Sequence, residues 1–298
     1  MKKYFISFGN GIFTKRVQLL KRQAINTGWF DKVIIENTET ISSFINEHSD
    51  HFKHNRGYGY WLWKPYIILK QLESINENDL LFYTDAGATI LPHKEYRFNE
   101  YVNILSKSDT PILTFPLIGH TERMYQKRFT LEKYNLVNHY DFLNSNMIES
   151  GVLCLRKCDY SVRIVKEWLD TLIMKNYIYS TDELIYETQD KSFIDYRHDQ
   201  SILSIICKFN NSHQLLEEAY GLGPFFSSRK TDDGTREFAP DFFRASPDYI
   251  DHRHRVIEDW LADKPIDWWK DKDDYNPKMH LSESDYVTML WNKWNDKI

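Results

Sequence analysis

Cysteine is scarce in this chain of 298 residues: Cys154, Cys158 and Cys207 are the three, each beside apolar neighbours. They show no paired-cysteine zinc spacing, and an odd count argues against a disulfide framework, so reduced structural thiols in a cytosolic protein are expected. Long hydrophobic runs are also missing. No stretch approaches the ~20 apolar residues of a membrane span. The start, Met1 to Gly9, is basic but has only a brief apolar run before Gly9-Asn10-Gly11, too short for a signal peptide. The expected location is cytoplasmic, or peripheral to a membrane. A basic excess is lacking as well: the formal net charge is -5 and the pI about 6.1. That argues against a general nucleic-acid binder and leaves room for a local basic pocket. Repeats and low-complexity tracts are absent.

What the chain does have is aromatic surface. Aromatics make up 15% of residues, with 9 Trp and 19 Tyr, within a hydrophobic share of 42% that supports a sizeable core. Aromatic faces stack on sugar rings and nucleotide bases, and they also fill cores. Both readings stay open for any single residue.

Short apolar runs alternate with helical patterns. Tyr4–Ser7, Val33–Ile35, Leu80–Tyr83, Ile112–Phe115 and Gly151–Leu155 read as strands. Arg16–Thr27, Pro65–Ile75, the segment carrying Val162, Val165, Trp168, Leu169 and Leu172, and Ser201–Lys208 read as helices. This alternation predicts an α/β fold with a mainly parallel sheet and helices on both faces, binding its ligand beyond the carboxyl ends of the strands. After about residue 210 the periodicity weakens while Gly, Pro, Asp and Trp accumulate. The expected division is a catalytic domain over 1–210 and an extension over 211–298 packed on it, because its aromatics need burial.

Two motifs stand where chemistry is expected. Asp85, in Phe82-Tyr83-Thr84-Asp85-Ala86-Gly87, follows a buried strand. A carboxylate there can hold a hard divalent cation that neutralises a diphosphate, or it can simply start a turn. The run Arg56-Gly57-Tyr58-Gly59-Tyr60-Trp61-Leu62-Trp63-Lys64-Pro65 packs cations and aromatics before a helix start. Arg56 and Lys64 suit phosphate there, with the aromatics as a stacking wall or a plug over the sheet edge.

These two motifs, in this order, resemble those of bacterial and viral glycosyltransferases of the GT-A fold. Phe5-Ile6-Ser7-Phe8-Gly9, Gly119-His120-Thr121-Glu122 with Gln126-Lys127-Arg128, Met147-Ile148-Glu149-Ser150-Gly151 and Arg197-His198-Asp199-Gln200-Ser201 fit the same pattern, over roughly residues 3 to 210. The resemblance implies transfer of a sugar from a nucleotide-diphosphate donor, a UDP-sugar by expectation, to a glycan or glycolipid acceptor. It implies that Phe8 and Gly9 form the nucleotide loop, that Arg56, Lys64, Asp85 and Lys127 place the donor, and that Glu149 or Asp199 acts at the sugar or acceptor. Glu149 reads equally as a capping or salt-bridging residue, Asp199 as a helix N-cap, and the Lys127 charge run as a solvated face.

One departure concerns the metal. Thr84-Asp85-Ala86-Gly87 has one acid where the Asp-x-Asp motif has two. Mn2+ or Mg2+ would then be held by Asp85 with diphosphate oxygens and waters, or by Asp85 with a later histidine such as His252 or His254, or no metal would be bound at all. Rival readings are a sugar nucleotidyltransferase, a non-enzymatic carbohydrate-binding protein, and a glycoside hydrolase using Glu149 with Asp199.

Overall fold

In a computed structural model that describes residues 1–185, 188–216, 219 and 223–227, each expected strand forms. The strands are β1 Lys3–Phe8, β2 Lys32–Glu36, β3 Leu80–Thr84, β4 Thr89–Ile90, β5 Ile112–Thr114, β6 Pro116–Thr121, β7 Asn146–Ile148, β8 Val152–Arg156, β9 His213–Gln214 and β10 Phe225–Phe226. The longer helices are Thr14–Thr27, Trp63–Ser74, Glu95–Lys107, Asp159–Tyr177 and Asp199–Phe209. The first buries Val17, Leu20 and Ala24 along one stripe and stops at Gly28, whose φ of 68° is the left-handed value a helix end favours.

The main sheet has six strands in the order β2-β1-β3-β8-β5-β9. The pairings β1–β2, β1–β3 and β5–β9 are parallel, as expected. β8 is the departure: it runs antiparallel to both β3 and β5. A strand buried on both faces is apolar throughout, so its pattern carries no sign of direction.

Successive side chains of each central strand feed opposite layers. Leu81 and Tyr83 of β3, Ile6 and Phe8 of β1, and Leu153 and Leu155 of β8 join one core with helices Trp63–Ser74, Asp159–Tyr177 and Asp199–Phe209. Leu80 and Phe82, Phe5, and Val152 and Cys154 join the other core with helices Thr14–Thr27 and Glu95–Lys107. All three thiols are free, and burial raises the pKa values of Cys154 and Cys207, the latter to about 12, so both pack as inert apolar groups. Among the described residues, no helix is long and apolar enough to cross a membrane.

The direction of β8 shapes the site. β3 ends where β8 begins: Thr84 faces Val152, and the Asp85 N–H donates to the Gly151 carbonyl at 2.8 Å. The carboxyl edge of the parallel strands therefore receives Glu149, Ser150 and Gly151 from the amino end of an antiparallel one. The small β4–β10 ladder, with Phe225 opposite Ile90 and Phe226 opposite Thr89, lies just past the Asp85 turn.

Candidate active site

A cleft of about 660 Å³ opens at this edge. Its volume suits a drug- or nucleotide-sized ligand. Asp85, Gly87 and Ala88 line it after β3, Asn10 to Phe13 after β1, and Arg56, Tyr58, Trp61 and Trp63 from the aromatic run. Asn55, Glu149, Asp195, Arg197 and Ser227 complete the polar part of the lining.

Lys64 sits under the cleft, not in its wall. It is 2% exposed, with its ammonium 3.2 Å from Asp85 Oδ1 and 3.0 Å from Asp199 Oδ2. It also donates to Ser150 Oγ at 3.1 Å and to the Ser150 carbonyl at 3.3 Å. Burial alone would lower the Lys64 pKa, but Asp199 and Asp85 more than offset it and the net direction is up. Burial raises the Asp199 pKa, opposed by Lys64. Tyr83 donates to Asp85 Oδ1 at 2.5 Å, and burial together with Asp85 holds its own pKa well above the usual phenol value. Of this buried group, only the Asp85 side chain, 35% exposed, reaches the cleft.

Glu149 lies beside it. A Cβ on Gly151 would come within 2.7 Å of Glu149 Oε1 and 3.2 Å of Asp85 Oδ2. The two carboxylates thus flank one point, and the missing side chain at Gly151 lets Glu149 turn in.

The aromatic wall rests on an unusual backbone. Gly57, Tyr58, Gly59, Tyr60 and Trp61 all have positive φ, between 50° and 74°. Side-chain-bearing residues in this region are strained, and such strain collects at ligand clamps. The run is braced from several sides. The Trp63 indole N–H donates to the Gly57 carbonyl at 3.0 Å, and Phe8 stacks behind Trp63 at 4.2 Å. Arg56 is gripped by Asp182 at 2.9 Å and Asp195 at 3.0 Å. His198 stacks on Tyr60 at 4.9 Å and holds the Ser180 carbonyl through Nδ1 at 2.7 Å. Burial, with Arg56 nearby, lowers the His198 pKa to about 3, so the ring is neutral and Nδ1–H is the donor.

The expected site residues thus fall into distinct places. Arg56, Asp85 and Glu149 line the cleft together. Lys64 and Asp199 form an ion pair beneath it; His198, not Asp199, takes the N-cap position of helix Asp199–Phe209. Phe8, 3% exposed, is backing for Trp63. Gly9 is the contact point of helix Thr14–Thr27, since a Cβ there would lie 2.4 Å from Val17 Cγ1; the loop meets the cleft at Asn10 to Phe13 instead. Lys127 is 1% exposed and donates to the carbonyls of Ile178 at 2.8 Å, Thr181 at 3.0 Å and Glu183 at 3.1 Å. It braces the loop that presents Asp182 to Arg56, and burial lowers its pKa to about 8. His252 and His254 lie outside the described residues. Asn10, Asn55, Asp195, Arg197 and Ser227 complete the lining without having been singled out by pattern. Arg197, two residues before Asp199 in a motif the resemblance includes, had the strongest signal.

No protein-family model and no curated protein sequence matches the chain. Some solved structures overlap part of its chain path at low identity. A glycosyltransferase involved in the glycosylation of the major capsid of PBCV-1 is 13% identical, with a TM-score of 0.44, over 79% of this chain and 96% of that one. Mouse xyloside xylosyltransferase 1 is 11% identical, with a TM-score of 0.39, over 73% and 85% of the two chains. The 4-diphosphocytidyl-2C-methyl-D-erythritol synthase of Anaerococcus prevotii is 11% identical, with a TM-score of 0.38, over 83% and 98%. At this degree of overlap, function must be argued from the cleft.

Proposed function

We propose that the chain is a glycosyltransferase that moves a sugar from a nucleotide-diphosphate donor, in the first instance a UDP-sugar, to the hydroxyl of a glycan or glycolipid acceptor. The observation that carries this reading is the pairing of Asp85 with Glu149 on the floor of a cleft walled by Phe13, Tyr58, Trp61 and Trp63. The aromatic faces suit a base or a sugar ring. Arg56 and Arg197 supply the lining's positive charge for phosphate oxygens.

Asp85, Glu149 and Asp195 outnumber those two arginines, so a diphosphate entering alone would meet a net negative lining. A divalent cation accompanying it removes the conflict. Among the described residues no group of three or more His, Cys, Asp or Glu could cage a metal ion. The donor set still fits Mg2+ or Mn2+, which bind through one or two carboxylates plus substrate phosphates. Asp85 Oδ2 is the carboxylate oxygen turned toward Glu149, while Lys64 and Tyr83 engage Oδ1. Asp85 would hold the ion, whose chemistry there is to neutralise charge on the departing diphosphate. Lys64 holds Asp85 in orientation through Oδ1. Glu149, beside the same point, accepts the proton of the acceptor hydroxyl. The aromatic wall positions the donor and excludes water.

Calorimetric titration with UDP, with and without Mn2+, tests this. Wild type should bind UDP in the presence of Mn2+, and Asp85→Ala should weaken that binding at least tenfold. Metal-indifferent binding would remove the cation from the reading. Failure to bind UDP or any other nucleotide, with sugar release from glycans instead, would replace transfer by hydrolysis. Release of pyrophosphate from a nucleoside triphosphate would point to a nucleotidyltransferase.

A further inference from the structure

Glu149 is 1% exposed although it lines the cleft, so its carboxylate depends on protein partners for its placement. One of these partners comes from far along the chain. The Ser227 hydroxyl donates to Glu149 Oε1 at 2.5 Å across 78 residues. Three contacts bring Ser227 there. β10 pairs with β4, which follows the Asp85 turn. The Leu91 N–H donates to the Pro224 carbonyl at 2.9 Å, and the Ser227 N–H to the Ala219 carbonyl at 2.7 Å. Phe225, 1% exposed, anchors the strand among Phe82, Phe98 and Tyr101. Ser227 itself is 9% exposed and lines the cleft.

We propose that Ser227 is a positioning residue whose hydroxyl fixes the Glu149 carboxylate beside Asp85, so that the catalytic unit includes residues 219 and 223–227. The proposal rests on the reading of Glu149 as the group acting at the acceptor. Without the donated hydrogen bond, two carboxylates flanking one point repel, and Glu149 loses a contact that helps orient it and favours its ionised form. A hydrogen bond to a charged group is of the size that changes a rate ten- to a hundredfold when lost.

The test measures UDP or GDP release from UDP-glucose, UDP-galactose, UDP-N-acetylglucosamine and GDP-mannose by wild type, Ser227→Ala, Ser227→Thr and Glu149→Gln. With whichever donor wild type uses, Ser227→Ala should lower kcat roughly ten- to a hundredfold with KM within about threefold. It should also move the acid limb of the pH–rate profile upward. Ser227→Thr, which keeps the hydroxyl, should restore both. Wild-type kinetics in Ser227→Ala alongside an inactive Glu149→Gln would overturn the role of Ser227 and leave the site reading standing. Equal losses in Ser227→Ala and Ser227→Thr with an unmoved pH profile would make the residue a space-filler and overturn the proposal. A wild type that turns over none of these donors and binds no UDP would overturn the site reading and this inference together.

Discussion

Lys64→Met is expected to cost about 3–5 kcal/mol of stability, because it strands charge in a closed space. Asp199 is 4% exposed at its side chain, and the Lys64 ammonium, 3.0 Å away, faces it. Removing the cation leaves Asp199 to take up a proton or stay as an uncompensated buried charge. The same change frees Asp85 Oδ1 from an ammonium 3.2 Å away. Equilibrium urea denaturation measures the loss. The double variant Lys64→Met/Asp199→Asn should recover at least half of it, because an amide carries no charge to strand. A single variant within about 1 kcal/mol of wild type would mean that the Lys64–Asp199 pair is hydrated.

Acidification should destabilise the layer that carries the aromatic wall. His51 is 3% exposed and stacks on Tyr177 at 4.3 Å; burial, with His54 and His48 as neighbouring cations-to-be, lowers its pKa to about 4, against the Gly59 backbone contact that raises it. His198 titrates near 3 for the burial and Arg56 reasons above, with Asp195 opposing and Lys127 reinforcing. Both folded-state values lie below the unfolded value near 6.5. Below that pH the unfolded chain takes up protons that the folded chain refuses. Stability is therefore intact above about pH 6.5 and falls as the pH drops toward 4 and then 3. Between pH 7 and 4.5 the loss should be about 2 kcal/mol per ring, read from urea midpoints at fixed slope. His51→Gln and His198→Gln do not titrate and should each flatten the curve. An unchanged pH slope in both would show that neither ring stays neutral in the folded state.

Much of the architecture was legible in the sequence because it rests on periodicity. The runs around Ile6, Leu81 and Leu153 are apolar over strand lengths, and the stripe Val17, Leu20, Ala24 repeats at helical spacing. Strand direction was not legible, since β8 is apolar on both faces. The place of Asp85 followed from a strand ending in a turn, a local fact. In the sequence Lys64 reads as a phosphate-placing cation and Asp199 as a helix N-cap, and their union depends on the first turns of two helices, 135 positions apart, coming within ion-pair distance. Lys127 carries the marks of a phosphate ligand and is enclosed by the carbonyls of a loop more than 50 residues away. Ser227 was hidden for another reason. It lies in a stretch without periodicity, past the expected end of the catalytic domain at 210, and reaches Glu149 through two short strands.

The antiparallel strand in the middle of the sheet also constrains how the chain is made. Leu80 pairs with Arg156, so one whole edge of β3 stays open until some seventy-six further residues have left the ribosome. During that interval the nascent chain carries Leu80, Leu81, Phe82 and Tyr83 as an uncovered apolar edge, a template for pairing with other chains. Closure then needs a contact of long sequence separation, which slows collapse to the native sheet. Yield in a heterologous host should accordingly respond to translation speed and to chaperones that bind extended apolar segments more than to any stabilising change at the surface.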